Sequence, residues 1–155
     1  QVASVVINAN GDPERFNRFA FPVLPDLQTD IGTPLAGIQT ALHHAKAKGF
    51  TVVVTVPSDS PFLPLDLVQT LLAAGKGGPI IAASNDHSHY LTGLWPVSLL
   101  PVLNQAIASK RLRRVQDFSS LVNASELVWP ASLVDPFLNV NTPEDLAFAE
   151  AMLSW

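Results

Sequence analysis

A chain of 155 residues, 48% of them apolar, is long enough for one domain around a single core, and a formal charge of -4 leaves no basic field for nucleic acid. The absence of cysteine excludes disulfides, thiolate metal sites and a thiol nucleophile. No apolar run approaches the roughly 20 residues of a membrane span, so no membrane partner is expected and a cytoplasmic location is.

In chain order, Val2 to Ile7 is β-branched and apolar, which predicts a strand buried on both faces of a parallel sheet and ending at Asn8-Ala-Asn10-Gly. The chain enters this strand almost at once from Gln1 and reads as starting in mid-domain. Phe21 to Leu24, bracketed by Pro22 and Pro25, predicts a short extended stretch ending at Asp26. Leu35, Ile38, Leu42 and Ala45 recur at helical spacing, which predicts a helix over 34–48 with Thr33 at its start and Gly49 at its end. Phe50 to Val56 is the strongest strand pattern and stops at Pro57-Ser-Asp59-Ser-Pro61. A helix with Pro64 in its first turn and Leu67, Val68, Leu71 and Leu72 as its inward stripe follows.

Pro79 to Ala83 and Tyr90 to Trp95 predict two strands around a polar loop, Asn85 to His89. Helices are expected from about Leu99 to Ser109 and Arg113 to Leu121, with a strand at Leu127 to Trp129. Thr142-Pro-Glu-Asp145 opens a last helix, with a cap, a first-turn proline and acidic residues at the positive end of the dipole. This alternation predicts a single α/β domain over residues 1–155, with a three-layer, mostly parallel sheet, helices on both faces and ligands at the carboxyl ends of the strands.

Three strand ends carry polar residues: Asn8 and Asn10, Asp59, and Asn139 and Asn141. Asp59 is held between two prolines, and its carboxylate suits a hard divalent cation shared with substrate phosphates. It suits a cap for the next helix equally well. Asn8 and Asn10 present donor and acceptor together, as a base edge or a ribose requires, but also favour Asx turns. Asp26 and Asp30 read as solubilising or capping residues. His43 and His44 lie on a predicted helix, and the His87-x-His89 pair lacks a third ligand for zinc. Lys110, Arg111, Arg113 and Arg114 form a small basic cluster that fits either phosphate or an exposed helix start. Asn123-Ala-Ser125 matches the glycosylation pattern and is read as a chance match. No P-loop, GxSxG elbow or kinase signature is present.

Taken in order, VVINAN (Val5 to Asn10), TPLAGI (Thr33 to Ile38), PSDSPFLP (Pro57 to Pro64), LWPVSLLP (Leu94 to Pro101) and FLNVNTPEDL (Phe137 to Leu146) resemble the molybdenum cofactor guanylyltransferases. The resemblance implies a Rossmann-like nucleotidyltransferase fold that joins GMP from GTP to molybdenum-bound molybdopterin, with Mg2+ as metal and molybdoenzyme-maturation proteins as further partners. It assigns Asp59 to the metal and the GTP phosphates as the catalytic carboxylate. Asn8 and Asp26 correspond to guanosine contacts, and Asn139 and Asn141 to the molybdopterin side. Arg113 and Arg114 match a recurrent basic pair.

The family's first strand, its LAGG-type glycine-rich loop and the Arg and Lys that follow are not among these residues, so this stretch by itself is expected to be inactive. Thr33 stands where the family often has Gly, and Tyr90 where Pro is usual. Two alternatives remain: a related nucleotidyltransferase using CTP or a sugar phosphate, and a non-catalytic module that retains only the cofactor-side surface.

Overall fold

The computed structural model describes residues 1–28, 32–109, 112–130 and 133–154. Strands β1 (Ile7–Asn8) and β2 (Val23–Leu24) pair in parallel as a small ribbon. A 3-10 helix, Pro13–Phe19, lies between them; Asp12 caps it by accepting from the Glu14 amide at 2.9 Å. Helix α1 (Pro34–Ala47) then leads into β3 (Val52–Thr55). Helix α2 (Leu67–Gly75), strands β4 (Ile80–Ser84) and β5 (His87–Pro96), and helices α3 (Leu100–Ala108) and α4 (Val115–Leu121) follow. Strand β6 (Ser125–Val128) and helix α5 (Pro143–Leu153) complete the order.

The main sheet has the order β3-β5-β4-β6. Its strands β3, β4 and β6 run in one direction, and β5 opposes them between β3 and β4. Three of its four strands share one direction, as the mostly parallel expectation requires, but with β5 inserted two of the three ladders are antiparallel. Alternation along the strands sends Ile81 and Trp95 to one face, where they pack with Leu35, Ile38 and Leu42 of α1, Leu103 of α3 and Phe118 of α4. Ile80, Ala82 and Leu94 face the other side and pack with Leu67 and Leu71 of α2 and with Phe137. Helices thus cover both faces and make three layers.

Three elements differ from expectation. The first strand is only Ile7–Asn8, and Val2 and Val5 are exposed. Its ladder partner is two residues long between Pro22 and Pro25, and prolines have no amide with which to extend a ladder. The presumed loop Asn85 to His89 is a two-residue hairpin. Asn85 and Asp86 adopt φ of 46° and 62°, a left-handed pair that Asn and Asp tolerate well, so β5 already begins at His87. Finally, α2 starts at Leu67, with Pro64 outside it. A register shift in the β4–β5 ladder lies between Ile81 and Ala82, and Gly93 is required beside it because a Cβ there would stand 2.9 Å from the Ile80 carbonyl oxygen.

Candidate active site

Two polar clusters form at the strand ends. Phe50 donates its amide to the Ala45 carbonyl at 2.9 Å, so the chain reverses between α1 and β3 and β3 runs back toward the start of α1. Gly37, in the first turn of α1, lies against the Asn8 side chain at the end of β1. The carboxyl ends of β1 and β3 therefore face the same edge, which is where ligands bind in such sheets.

In the first cluster, Asn8 Nδ2 donates to Asp26 Oδ1 at 3.0 Å and to the Leu24 carbonyl at 3.0 Å. Asn10 Nδ2 donates to Asp26 Oδ2 at 2.8 Å, and the Asp26 amide donates to Asn10 Oδ1 at 2.9 Å. Asp26 is thus clamped by two asparagines, with both carboxylate oxygens engaged. Arg15 Nη2 holds the Asn10 carbonyl at 2.8 Å. A Cβ at Gly37 would overlap Asn8 Oδ1, so glycine is what lets α1 approach the clamp.

In the second cluster, Asn139 Nδ2 donates to Asp59 Oδ1 at 2.8 Å, and the Val140 amide donates to the Asp59 carbonyl at 2.8 Å. Asp59 is half-buried, and its Oδ2 accepts no hydrogen bond from the described residues. The alternative role for Asp59, capping α2, does not apply because that helix begins eight residues later with Asp66 at its cap position. One oriented carboxylate with a free oxygen fits a hard cation, which commonly takes one or two carboxylates and completes its shell with substrate phosphates and water. Among the described residues, no group of three His, Asp or Glu side chains forms a self-sufficient metal cage.

Asn141, two residues on, lies in the turn that opens α5. Its amide and that of Thr142 donate to Asp145 Oδ2 at 3.0 Å and 2.9 Å, and Thr142 Oγ1 accepts from the Asp145 amide at 3.1 Å, a complete capping box. The Asn141 and Thr142 amides, followed by the Thr142 hydroxyl contact, hold the Asp145 carboxyl below its ordinary value. Arg113 and Arg114 are exposed ahead of α4. Asp30, Lys110 and Arg111 lie outside the described residues.

A profile of the MobA-like NTP transferase domain matches residues 1–124. The chain belongs to this family. Among its relatives, the molybdenum cofactor guanylyltransferase of Bradyrhizobium sp. (strain ORS 278) is 40% identical over 160 residues, covering 98% of this chain and 74% of the relative. The protein of the same name from Rhizobium leguminosarum bv. trifolii (strain WSM2304) is 43% identical over 161 residues, covering 99% and 75%. The resemblance carried by the five ordered motifs is therefore correct, and this MobA-like chain spans about three quarters of those relatives.

Its fold matches an Aquifex aeolicus VF5 protein with a TM-score of 0.75 at 27% identity, over 90% of this chain and 72% of that one. It also matches molybdopterin-guanine dinucleotide biosynthesis protein A of Archaeoglobus fulgidus with a TM-score of 0.68 at 23% identity, over 96% and 78%. The MobA-like nucleotidyltransferase fold expected from the sequence is the fold observed.

Beyond Asn8 and Asp26, the structure engages Asn10, Arg15 and Gly37 in the first cluster. Asn10 stood out in the sequence only as a strand-end asparagine. Arg15 and Gly37 carried no separate mark, because their roles depend on contacts with other elements.

Proposed function

We propose that the full-length protein transfers GMP from GTP to the terminal phosphate of molybdenum-bound molybdopterin. An oxygen of that phosphate attacks the α-phosphorus of GTP, the bond to the β-phosphate breaks, and pyrophosphate leaves. The Asp59–Asn139 pair at the strand-end edge carries this reading, because it presents an oriented carboxylate beside the NVNTPED segment. The many relatives at about 40% identity named molybdenum cofactor guanylyltransferase support the choice of substrates.

Asn8 and Asp26 hold the guanosine portion, Asn10 keeps the Asp26 carboxylate turned toward it, and Asn139 and Asn141 face the molybdopterin side. Asp59 would hold Mg2+, which when bound would supply neutralisation of the phosphate charge. Asn139 keeps Asp59 Oδ1 fixed and leaves Oδ2 open, so the carboxylate is oriented in advance of any cation it would hold. The attacking phosphate is already anionic near neutral pH, so the site needs positioning and charge neutralisation rather than a general base. Molybdoenzyme-maturation proteins receive the product, and the reaction takes place in the cytoplasm.

The test is pyrophosphate release by the full-length gene product with molybdopterin and Mg2+, titrated with GTP and with CTP. Saturable release with GTP and little with CTP is the expected result. A clear preference for CTP assigns the protein to the cytidylyl reaction, and no release with either nucleotide favours a non-catalytic module.

A further inference from the structure

The carboxyl end of β4 carries a third polar cluster, one to which the proposed reaction gives no role. Ser84, fully buried as the last residue of β4, places its Oγ 2.8 Å from both Asp135 Oδ1 and Asp135 Oδ2, and 2.7 Å from His89 Nε2. Asn85 Nδ2 donates to Asp135 Oδ2 at 2.9 Å, and the Phe137 amide donates to Asp135 Oδ1 at 2.8 Å. Burial alone would raise the Asp135 carboxyl, but the hydrogen bonds from Phe137, Ser84 and Asn85 together outweigh it and hold the group ionised.

An ionised carboxylate only accepts, so the single hydroxyl proton of Ser84 goes to Asp135. The ring nitrogen of His89 must then donate, which assigns His89 its Nε2-H form. Burial, outweighing the attraction of Asp135, keeps that ring below the ordinary imidazole value.

We infer that Asp135, held by Ser84 and Asn85 with His89 behind the serine, is a positioning residue for the molybdopterin side of the site, a role that rests on the guanylyl-transfer reading. The connection runs through four residues. The Leu138 amide closes a turn on the Asp135 carbonyl at 3.1 Å. That turn drives Phe137, 1% exposed, into the core beside Leu67, Leu71 and Ile80. There Phe137 packs on the His89 ring with centroids 4.8 Å apart, and meets Trp129 edge-on at 5.2 Å. The chain emerges at Asn139 and Val140, the two residues that bind Asp59. The segment from Asp135 to Val140 is thus a short bridge pinned at one end to β4 and at the other to Asp59 in the loop after β3. Its first pin sets where Asn139 stands. Nothing in the network touches Asn8 or Asp26, so its loss should be felt by the acceptor substrate rather than by GTP.

The experiment compares full-length wild type, S84A and D135N for steady-state transfer, varying the molybdopterin substrate at saturating GTP and the reverse. The expected result is a KM for the molybdopterin substrate raised roughly tenfold, as for one charge-assisted hydrogen bond, and a lowered kcat because Asn139 also orients Asp59, with KM for GTP within about twofold. Should S84A not fold, D135N keeps the shape of the side chain, and H89Q removes the ring donor from a half-buried position. Wild type that transfers no GMP from GTP would remove the parent reading and this role with it. Active wild type beside folded variants with unchanged acceptor KM would overturn the positioning role alone. Equal rises in both KM values, or lowered thermal stability with unchanged kinetics, would also overturn it by showing a merely structural network.

Discussion

Asn139 Nδ2 donates to Asp59 Oδ1 at 2.8 Å across 80 residues of chain, joining the segment after β3 to the turn before α5. This contact makes Asn139 more than a polar residue near the acceptor side: it orients the carboxylate assigned to the metal. Two substitutions separate these roles. N139A removes the donor and leaves the carboxylate free to rotate. N139D places a second carboxylate beside the first, and like charges that close disfavour joint ionisation. A divalent cation relieves that repulsion, so N139A should need more Mg2+ than wild type for half-maximal rate and N139D less than N139A, as a Mg2+ titration of both variants will show.

Gly37 supplies the second prediction. In a helix interior, Gly to Ala ordinarily stabilises by roughly 0.5–1 kcal/mol. Here the added Cβ overlaps Asn8 Oδ1, so G37A should gain little or no stability. It should also raise KM for GTP by displacing the Asn8–Asp26 clamp. Denaturant midpoints and GTP saturation curves on one preparation test both parts.

Phe137 is the apolar anchor of the bridge between Asp135 and Val140. With 1% exposure and two aromatic neighbours, F137A should cost about 3–5 kcal/mol of stability. A urea unfolding curve shifted by less than about 1 kcal/mol would mean that the site collapses around the cavity.

The pH dependence follows from His89. Its ring titrates near 6.5 in the unfolded chain, and burial lowers that value in the folded one. Between the two values the unfolded state binds more protons, so folding stability falls as pH drops from about 6.5 through the folded pKa. H89Q should flatten this part of the profile, which unfolding midpoints at several pH values for wild type and H89Q will measure. Asp135, also lowered in the folded state, contributes stability that is present above the unfolded carboxyl value and is lost as pH falls through the folded one.

The sequence was most readable where structure is written locally. The 3.6-residue pattern of Leu35, Ile38 and Leu42, the β-branched run through Val52 to Val54, and Thr142 with Asp145 all appear as elements or caps where expected. The short β1 was not readable, because its length depends on a ladder partner limited by Pro22 and Pro25. The hairpin at Asn85 and Asp86 has no sequence mark that separates it from a loop, since its polar residues look alike in either setting and only the left-handed backbone distinguishes them. Local sequence around Asp59 fits a cap and a ligand equally well, and the start of α2 at Leu67 with the distant Asn139 donor separates the two. The Ser84–Asp135 contact spans 51 residues and has no local signature, and the HxH spacing says nothing of the hydroxyl beside His89.

The central claim is that Asp59 holds the metal against phosphate in guanylyl transfer. Its most direct test follows α-phosphate-labelled GTP into the molybdopterin product for full-length wild type and D59A at saturating Mg2+. The Val140 contact uses the backbone carbonyl of Asp59, so it survives the substitution and the variant should stay folded. The account predicts labelled dinucleotide from wild type and a loss of about 10²–10³-fold or more in a folded D59A, the scale of removing one preorganised electrostatic group. Equal labelling by the two proteins would contradict it.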